Sequence, residues 1–406
     1  MPAPPPAFPY TSFTAVTLPE ASRHILSLSK SSPVDTIHVR LLKAYPTLFS
    51  GFLTELANRS FQQGKFPNAY KTAQITPLLK KSNLDPSDLS SYRPISNLRT
   101  MGKLLERLAQ DRIRPHLTSS LAFSPYQSAY RPGYSTETAS LKIVNDLFKL
   151  SDSGAPSLLV SLDLSAAFDC VLHGNLLDRL ANEFGFSGSS LAWLGSYLSQ
   201  RQQYVLLNSI KSQTSTLTDG VPQGSVLGPL LFSAYLSPIS RLIDSFGLLH
   251  HIYADDTTLL VSFDPTLFPL KLLNDCTVAL SNWLMFNGLL LNPSKSEVMW
   301  AGTSSQLRTA STYDQDLKIA DIHINPSSSL KVIGVIFDNQ LTFSPHISNL
   351  CQSVNYHLRA LTHIRRSLDM QTANMLATSI IGSRVDYCNS LYSGITDHNI
   401  LRLQRL

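Results

Sequence analysis

The spacing of apolar residues changes several times along the chain, and each change predicts a different kind of element. After a Pro-rich lead of about 20 residues, helical spacing up to residue 60 predicts a small helical lobe. Short apolar runs predict strands over three later stretches, residues 73–79, 158–162 and 331–337. Helical spacing predicts helices over residues 101–117, 141–148 and 280–286, and from residue 343 onwards.

Residues 251–261 combine two apolar runs of β-forming residues with two adjacent acids, Asp255 and Asp256. Such runs on both sides of a polar pair predict a hairpin whose turn holds both carboxylates at the rim of a sheet. Adjacent carboxylates repel each other, and Mg²⁺ prefers a few carboxylates together with substrate phosphate oxygens. An ordinary Asp-Asp turn between two strands explains the same residues, and the pair alone favours that simpler interpretation.

A third acid, Asp163, ends the apolar run of residues 158–162. An aspartate at the end of a buried strand is costly unless it is paired. A cation shared with Asp255 and Asp256 would supply that pairing, so the three acids form a candidate metal site. Asp169 is an alternative third acid, but its place after Phe168 predicts the start of a helix, where a carboxylate interacts favourably with the helix dipole.

Length and charge suggest a protein of two or three lobes with one basic segment. The chain has 406 residues, of which 43% are hydrophobic, and a formal net charge of +5. Residues 61–116 hold ten Lys or Arg and four Asp or Glu, a local net charge of +6. Lys80 and Lys81 end a predicted strand there, and Pro94 favours an extended backbone at Arg93. These cations are a candidate triphosphate clamp, and a solvated surface is the simpler alternative.

The cysteines and the apolar runs exclude several classes of protein. The four cysteines are far apart, with no Cys-x-x-Cys pair and no histidine at zinc-ligand spacing, so we expect no zinc site and reduced thiols. No apolar stretch approaches the roughly twenty residues of a membrane span. The first residues lack the features of a signal peptide. We therefore expect an intracellular protein, in the nucleus or the cytoplasm, with no evident targeting signal.

A polar loop before the helix at residues 141–148 mixes hydrogen-bonding, cationic and aromatic groups. These groups are Tyr126, Gln127, Arg131 and Tyr134. The mixture suits contact with a nucleic-acid strand. A loop that caps the next helix through Ser135 or Thr136 is an equally good interpretation.

Two further loops carry candidate groups. Pro222 and Gly224 flank Gln223 in a tight loop, and an apolar helix begins near Pro229. Glycine permits a base pair to lie close to the backbone, although a glycine in a turn needs no such explanation. Lys295 lies between turn-forming residues farther along the chain.

Six sequence blocks together resemble the reverse transcriptase domain of non-LTR (LINE-type, jockey-like) retrotransposons. In chain order they are SYRPIS (91–96), LDLSAAFD (162–169), GVPQGSVLGPLLF (220–232), YADD (253–256), LNPSKSE (291–297) and VIGVIFD (332–338). One block alone would be weak, whereas six in family order within residues 61–338 are specific. The family usually carries a second acid after the LDLSAAFD-like block, and residues 169–173 lack it.

The resemblance implies an α+β right-hand polymerase with basic fingers, a palm with an antiparallel sheet, and a helical thumb. Residues 1–60 would then be a Pro-rich lead and helical N-terminal extension. Residues 61–338 would be the reverse transcriptase domain, with fingers and palm, and residues 339–406 a thumb-like helical region. The final helix lacks a cap, which predicts a truncated thumb. No endonuclease acids precede the fingers and no Cys/His knuckle follows the thumb.

The resemblance also implies the chemistry. Asp163, Asp255 and Asp256 would bind two Mg²⁺ ions, with Mn²⁺ as a possible substitute. Lys295 resembles the lysine near the leaving pyrophosphate, a candidate proton donor. The implied substrates and partners are dNTPs, a template RNA and a DNA primer or target.

The remaining implied site residues bind the incoming nucleotide. Arg93, and less surely Lys80, resemble the triphosphate clamp. Phe168 resembles the bulky residue that blocks a 2′-hydroxyl, although a core aromatic is the alternative. Gln223 and Gly224 resemble the loop under the nascent base pair.

The implied activity is RNA-directed DNA polymerisation. The main alternative is a decayed or domesticated remnant that holds RNA without polymerising, and the intact acids argue against decay of the site. An RNA-dependent RNA polymerase is disfavoured by Ala254 before the acid pair and by the bulky Phe168. Primer extension with dNTPs and with NTPs would separate the three.

Overall fold

The structure is a computed structural model that describes residues 8–81, 83–165, 168–263, 269–312 and 317–406. Within these residues helices and strands are mixed along the chain, which confirms the expected combination of both kinds of element. The helices are α1 (Leu18–Leu26), α2 (Val39–Ala44), α3 (Pro46–Gln63), α4 (Thr100–Ser119), α5 (Thr136–Asp152), α6 (His173–Asn182), α7 (Gly188–Leu198), α8 (Gly228–Leu236), α9 (Pro238–Asp244), α10 (Pro269–Phe286), α11 (Ser304–Ala310), α12 (Ser344–Ile364), α13 (Met370–Val385) and α14 (Asp397–Gln404).

The strands are short, and most pair within two larger sheets. They are β1 (Thr72–Leu79), β2 (Tyr92–Asn97), β3 (Ser157–Leu162), β4 (Leu164–Ser165), β5 (Arg201–Leu207), β6 (Ile210–Lys211), β7 (Ser215–Leu217), β8 (Leu249–Tyr253), β9 (Asp256–Ser262), β10 (Leu290–Leu291), β11 (Glu297–Ala301), β12 (Lys318–Ile319), β13 (Ile322–His323), β14 (Ser329–Val332) and β15 (Val335–Asp338). The strands predicted over residues 73–79 and 158–162 correspond to β1 and β3.

The chain folds as two units, and each unit is assembled from segments that are separated in sequence. Unit 1 contains Met1–Ser124, Ala166–Ile239 and Leu284–Leu290. Unit 2 contains Pro125–Ser165, Ser240–Trp283 and Leu291–Leu406. Each unit has its own larger sheet.

Unit 1 packs helices beside a five-stranded sheet of order β2-β1-β5-β6, with β7 also paired to β5. Strands β1 and β2 are antiparallel, and Leu78 lies opposite Arg93. The helical core centres on the buried ring of Trp193, whose Nε1 donates to the Ser60 hydroxyl at 2.8 Å. Phe66 packs edge-on against the same ring. The helical spacing before residue 60 is confirmed by α1, α2 and α3.

Unit 2 is built on an antiparallel four-stranded sheet of order β11-β3-β9-β8. Its apolar core includes residues of α5, β3, β9 and β11 together with Ile347 of α12. The central strands β3 and β9 are apolar and largely buried, as the runs of leucine and valine predict. Within the described residues, none of the helices combines the length and apolarity needed to cross a bilayer.

The single strand predicted over residues 331–337 is wrong. The segment forms a hairpin instead, in which β14 and β15 pair antiparallel and Val332 lies opposite Val335. Ile333 and Gly334 form the turn, with φ angles of 47° and 82°. Two left-handed residues reverse the chain, and a periodicity of apolar residues alone does not reveal such a turn.

Candidate active site

The predicted hairpin is confirmed as β8 and β9, but its turn holds only one of the two acids, because Asp256 is already the first residue of β9. Tyr253 pairs with Asp256, so Ala254 and Asp255 form the two-residue loop. Ala254 has a φ of 59°, a left-handed conformation that residues with a Cβ rarely adopt. The loop therefore presents Asp255 at the rim of the sheet, and other contacts must hold its unusual backbone.

Asp163 is brought to the same rim by strand pairing. Strands β3 and β9 are neighbours, and Leu162 lies opposite Thr257. Asp163 directly follows β3, and Asp256 directly precedes Thr257. Pairing of the two strands therefore brings Asp163 next to Asp256 at the same end of the sheet.

The three carboxylates of this rim influence one another electrostatically. Loss of hydration, followed by the charges of Asp255 and Asp163, raises the pKa of Asp256 to about 6. Asp256 is open to solvent on one side, and the atoms packed around its other side cause the loss of hydration. Converging carboxylates with hard oxygen donors fit a divalent cation, because a cation would relieve their mutual repulsion.

A second acidic cluster has a different chemistry. Among the described residues, Glu20, His24 and Asp111 are the trio whose ligand atoms all lie within 4.8 Å of one another, a closer grouping than that of the three rim acids. The Arg112 guanidinium donates to both carboxylate oxygens of Glu20, at 2.6 and 2.9 Å. An arginine already neutralises this trio, so we interpret it as an ion-pair network that ties α1 to α4.

Lys295 lies on the turn that fixes the end of β3. The turn is a short 3₁₀ segment, Pro293–Lys295, and the Lys295 side chain is exposed. The Asn292 N–H donates to the Asp163 carbonyl at 2.9 Å, and the Asp163 N–H donates to the Ser296 hydroxyl at 3.4 Å. One turn therefore carries the candidate proton donor and holds the backbone of a candidate metal ligand.

The strand that leads into the acid pair is also anchored from α5. The Nε2 atom of His251 lies 2.9 Å from a carboxylate oxygen of Asp146, and both residues are buried. The Lys142 ammonium donates to both oxygens of the same carboxylate, at 2.6 and 2.7 Å. This network fixes β8 to α5.

The candidate clamp residues lie on the first two strands of unit 1. Arg93 is exposed on β2, and its extended backbone was predicted from Pro94. Lys80 is exposed just after β1, and its ammonium donates to the Ser90 carbonyl at 2.9 Å. The structure thus leaves the Arg93 guanidinium facing solvent, whereas a backbone contact holds Lys80.

Gly224 is needed for close packing of its loop against β2. Its φ is 117°, and an added Cβ would lie 2.8 Å from the Ser96 carbonyl oxygen. The Ser96 N–H also donates to the Gln223 carbonyl at 2.9 Å. The close approach that this glycine permits is therefore to a neighbouring protein strand in this structure.

The expected position of Asp169 at a helix start is wrong. Helix α6 begins at His173, and Asp169 lies in the turn before it. The Gln223 side-chain amide donates to the Asp169 carboxylate at 2.8 Å. Asp169 is a partner of the Gln223 loop because tertiary packing brings two segments 54 residues apart into contact.

The ring of Phe168 is partly exposed and partly packed. One face stacks on the buried ring of Phe232, with centroids 4.5 Å apart and planes inclined by 26°. The Phe168 carbonyl accepts a hydrogen bond from Val221 N–H at 2.8 Å. The residue therefore has an accessible edge and a structural contact at the same time.

The structure also identifies a residue that the sequence interpretation missed. Glu106 of α4 is buried, and its Oε2 accepts hydrogen bonds from the N–H groups of Val226 and Leu227, at 2.7 and 3.1 Å, and from the Tyr197 hydroxyl at 3.1 Å. It therefore holds the start of α8 and the end of the Gln223 loop. The sequence did contain a signal for it. Glu106 lies at helical spacing from Gly102, Ala109 and Ile113, on the same buried face of α4.

The proposed nucleic-acid contact of Gln127 is wrong in this structure. Its side chain is buried, with 1% exposure, and bonds to the backbone of the acid-bearing hairpin. Ser135 caps α5 through a hydrogen bond from Thr138 N–H, so the capping interpretation of the same loop is confirmed. Arg131 lies over the Tyr134 ring at 4.6 Å.

Comparisons with known proteins agree on one family. The model of a family described as reverse transcriptase (RNA-dependent DNA polymerase) matches residues 79–337. The RNA-directed DNA polymerase from mobile element jockey of Drosophila melanogaster is 30% identical over 84% of this chain and 37% of its own length. A probable RNA-directed DNA polymerase from transposon BS of the same species is 29% identical over 79% of this chain and 35% of its own length.

Among solved structures, apo telomerase from Candida tropicalis matches 77% of this chain and 62% of its own, with 14% identity and a TM-score of 0.45, too low to support a conclusion. The chain spans little more than a third of the length of the two curated relatives. The sequence resemblance to non-LTR retrotransposon reverse transcriptases is confirmed by the family match and by these relatives. The chain belongs to the reverse transcriptase (RNA-dependent DNA polymerase) family.

Proposed function

We propose that this chain carries the polymerase core of a non-LTR retrotransposon reverse transcriptase. It would extend a primer 3′-hydroxyl with dNTPs while copying an RNA template. The observation that carries the proposal is the convergence of Asp163, Asp255 and Asp256 at the ends of adjacent strands. Phosphoryl transfer depends mainly on positioning and on neutralisation of charge, and this rim supplies acids for both.

Within this proposal, the sheet β11-β3-β9-β8 is the palm, and the basic strands β1 and β2 belong to the fingers. The sheet β11-β3-β9-β8 is antiparallel and carries the three acids at its rim, and both features support its assignment to the palm. Helices α12 and α13 would form the thumb. Exposed cations of α12 and the turn after it, Arg359 and Arg366, would then face a nucleic-acid backbone.

We propose that Asp163, Asp255 and Asp256 hold divalent cations, with Mg²⁺ as the physiological ion and Mn²⁺ as a substitute. Bound cations would neutralise charge that develops on the attacking and leaving oxygens. Lys295 would donate a proton towards the leaving pyrophosphate from its exposed turn. Arg93 and Lys80 would bind the triphosphate, and Gln223 with Gly224 would support the nascent base pair.

The proposal is tested by primer extension with the purified chain. An RNA template annealed to a DNA primer should yield DNA products with dNTPs and Mg²⁺, and no extension with NTPs. Retained RNA binding without extension would identify a non-catalytic remnant. Efficient extension with NTPs would identify an RNA polymerase.

Substitution of Arg93 by alanine is expected to raise the KM for dNTPs more than it weakens template binding. Loss of a charge-assisted bidentate contact costs about 1.5–3 kcal/mol, or about one to two decades in KM. Steady-state kinetics with each dNTP and RNA titration provide the measurement. Arg40→Ala is the matched control, because it removes the same charge from an exposed position on α2. A fall in RNA affinity at constant KM would make Arg93 a template contact.

Substitution of Phe168 by valine is expected to increase ribonucleotide use relative to dNTP use by about tenfold or more. A smaller side chain removes a clash with the 2′-hydroxyl, so selectivity falls when the wrong substrate is no longer rejected. Because the ring also stacks on Phe232, we expect a loss of about 1–2 kcal/mol in unfolding free energy.

The measurement for Phe168 is the ratio of kcat/KM for dNTP and NTP beside a denaturation curve. Phe232→Leu is the matched control, because it weakens the same stack from the buried side. That variant should lose stability and keep its selectivity. If Phe168→Val behaves in the same way as the control, Phe168 is a core residue and leaves the site.

A further inference from the structure

Gln127 makes three hydrogen bonds to backbone groups, and two of them involve one residue of the acid-bearing turn. Its Oε1 accepts from the N–H of Ala254 at 2.9 Å and from the N–H of Ala129 at 3.0 Å. Its Nε2 donates to the Ala254 carbonyl at 3.1 Å. The side chain is 1% exposed, so these bonds form away from competing water.

The segment around Gln127 is itself fixed to the hairpin. The Ile252 N–H donates to the Tyr126 carbonyl at 3.0 Å, and the Ser128 N–H donates to the Ile252 carbonyl at 2.9 Å. Residues 126–128 therefore run alongside β8 as a short parallel addition to the strand. The glutamine amide is thus held rigidly beside the turn that it contacts.

The two bonds to Ala254 constrain both peptide groups that flank it. One bond holds the N–H of the Tyr253–Ala254 peptide, and the other holds the carbonyl of the Ala254–Asp255 peptide. Together they stabilise a φ of 59° at a residue that has a Cβ. Because the second peptide leads directly into Asp255, its orientation determines where the Asp255 carboxylate points.

We propose that Gln127 is a positioning residue for the metal site, which sets the direction of the Asp255 carboxylate and so the affinity of the acid rim for a divalent cation. The inference rests on the proposed function in that it assumes cation binding by Asp163, Asp255 and Asp256. Without the hydrogen bonds from Gln127, Ala254 relaxes towards an ordinary negative φ and turns the Asp255 carboxylate away from the other two acids. Residues that orient metal ligands typically change metal affinity by about 10–100-fold.

The test replaces Gln127 with methionine, which has a similar shape and makes none of the three hydrogen bonds. Mn²⁺ binding to the full chain is titrated by electron paramagnetic resonance without nucleic acid or dNTPs. We expect Gln127→Met to weaken Mn²⁺ binding about tenfold. The Mg²⁺ concentration for half-maximal primer extension should rise in parallel, and hydrogen exchange at the Ala254 amide should become faster.

Gln306→Met is the matched control in the same unit. The Gln306 amide also bonds to backbone groups, accepting from Thr303 N–H at 2.7 Å and donating to the Ser151 carbonyl at 3.2 Å. It lies at the start of α11 and carries no part of the acid rim. This variant should lose stability, with Mn²⁺ affinity equal to that of the wild type.

The outcomes separate this inference from the proposed function. If Gln127→Met and Gln306→Met lose similar stability and both keep wild-type Mn²⁺ affinity, the inference is overturned and Gln127 is only structural. If the wild type binds Mn²⁺ through Asp163 and Asp255 but extends no primer, the proposed activity fails. Weaker Mn²⁺ binding by Gln127→Met would still support the positioning role of Gln127 in that case. A wild type that extends primers but binds no Mn²⁺ at these acids overturns the inference alone.

Discussion

Substitution of Asp255 by asparagine is expected to abolish primer extension, with a loss of about 10³-fold or more in rate. Asparagine keeps the size of the side chain and its carbonyl oxygen, but it removes the charge that a divalent cation requires. The strand register places this residue beside Asp256, with Asp163 across the same rim, so its loss disrupts a shared ligand set. No other part of the proposed polymerase site is altered by the change.

The same substitution should leave folding and RNA binding nearly unchanged. Loss of hydration, followed by the negative charges of Asp255 and Asp163, raises the pKa of Asp256, so like charges act against one another in this cluster. Removal of one charge relieves part of that repulsion, so the melting temperature should stay constant or rise slightly. The basic residues proposed to contact the nucleic acid are untouched.

The measurement for Asp255→Asn is single-turnover primer extension, with a melting curve and RNA titration of the same preparation. Asp275→Asn is the matched control, because Asp275 lies on α10 in the same unit and pairs with Lys271 at the surface. The control should extend primers at the wild-type rate. Near-normal extension by Asp255→Asn would remove the acid pair from the active site.

Substitution of Glu106 by alanine is expected to lower the unfolding free energy by about 3–5 kcal/mol. The change leaves the Val226 N–H, the Leu227 N–H and the Tyr197 hydroxyl without their shared acceptor in a buried region. Burial raises the pKa of Glu106, and the nearby Arg201 guanidinium opposes that rise. The change therefore also removes a partner of Arg201, which is itself 1% exposed. A buried cation without a counter-charge is strongly destabilising.

Glu106→Gln separates the contribution of charge from that of the hydrogen bonds. Glutamine retains one carboxamide oxygen as an acceptor for the two backbone donors, so we expect it to lose less stability than alanine does. Glu55→Ala is the matched control, because Glu55 is an exposed acid of α3 that pairs with Arg59. Surface pairs of this kind contribute about 0–1 kcal/mol.

The measurement for Glu106 is urea unfolding of the wild type and the three variants. A loss by Glu106→Ala as small as that of Glu55→Ala would contradict the assigned role. It would mean that the start of α8 is held by its own helical hydrogen bonds and by packing. A loss of about 3–5 kcal/mol in unfolding free energy would support Glu106 as the anchor of the loop that carries Gln223.

The elements that the sequence predicted correctly are those whose pattern is local. An apolar run predicted β3, and apolar runs on both sides of Asp255 and Asp256 predicted the hairpin of β8 and β9. Helical periodicity predicted α4 and the last part of α10, because one face of each helix must be apolar to pack. The position of Asp163 at a strand end followed from the same local pattern.

Two of the errors concern side chains whose partners are distant in sequence. The side chain of Gln127 is suited to a nucleic-acid contact, yet it bonds to Ala254, 127 residues away. Asp169 was assigned to a helix start, and its carboxylate instead meets Gln223. A polar side chain carries no local sign of which distant backbone or side chain will satisfy its hydrogen bonds.

The sequence by itself determined the family, the elements that bear the acids, and the candidate ligands Asp163, Asp255 and Asp256. Apolar periodicity acts over a few residues, and the six blocks are visible in the linear chain, so neither needs a tertiary contact. The tertiary structure alone decided how Ala254 is held in a left-handed conformation and how Glu106 fixes the start of α8. Both contacts are made by buried polar side chains, those of Gln127 and Glu106. Such side chains must be hydrogen-bonded, and they find their partners only when the folded chain brings distant segments together.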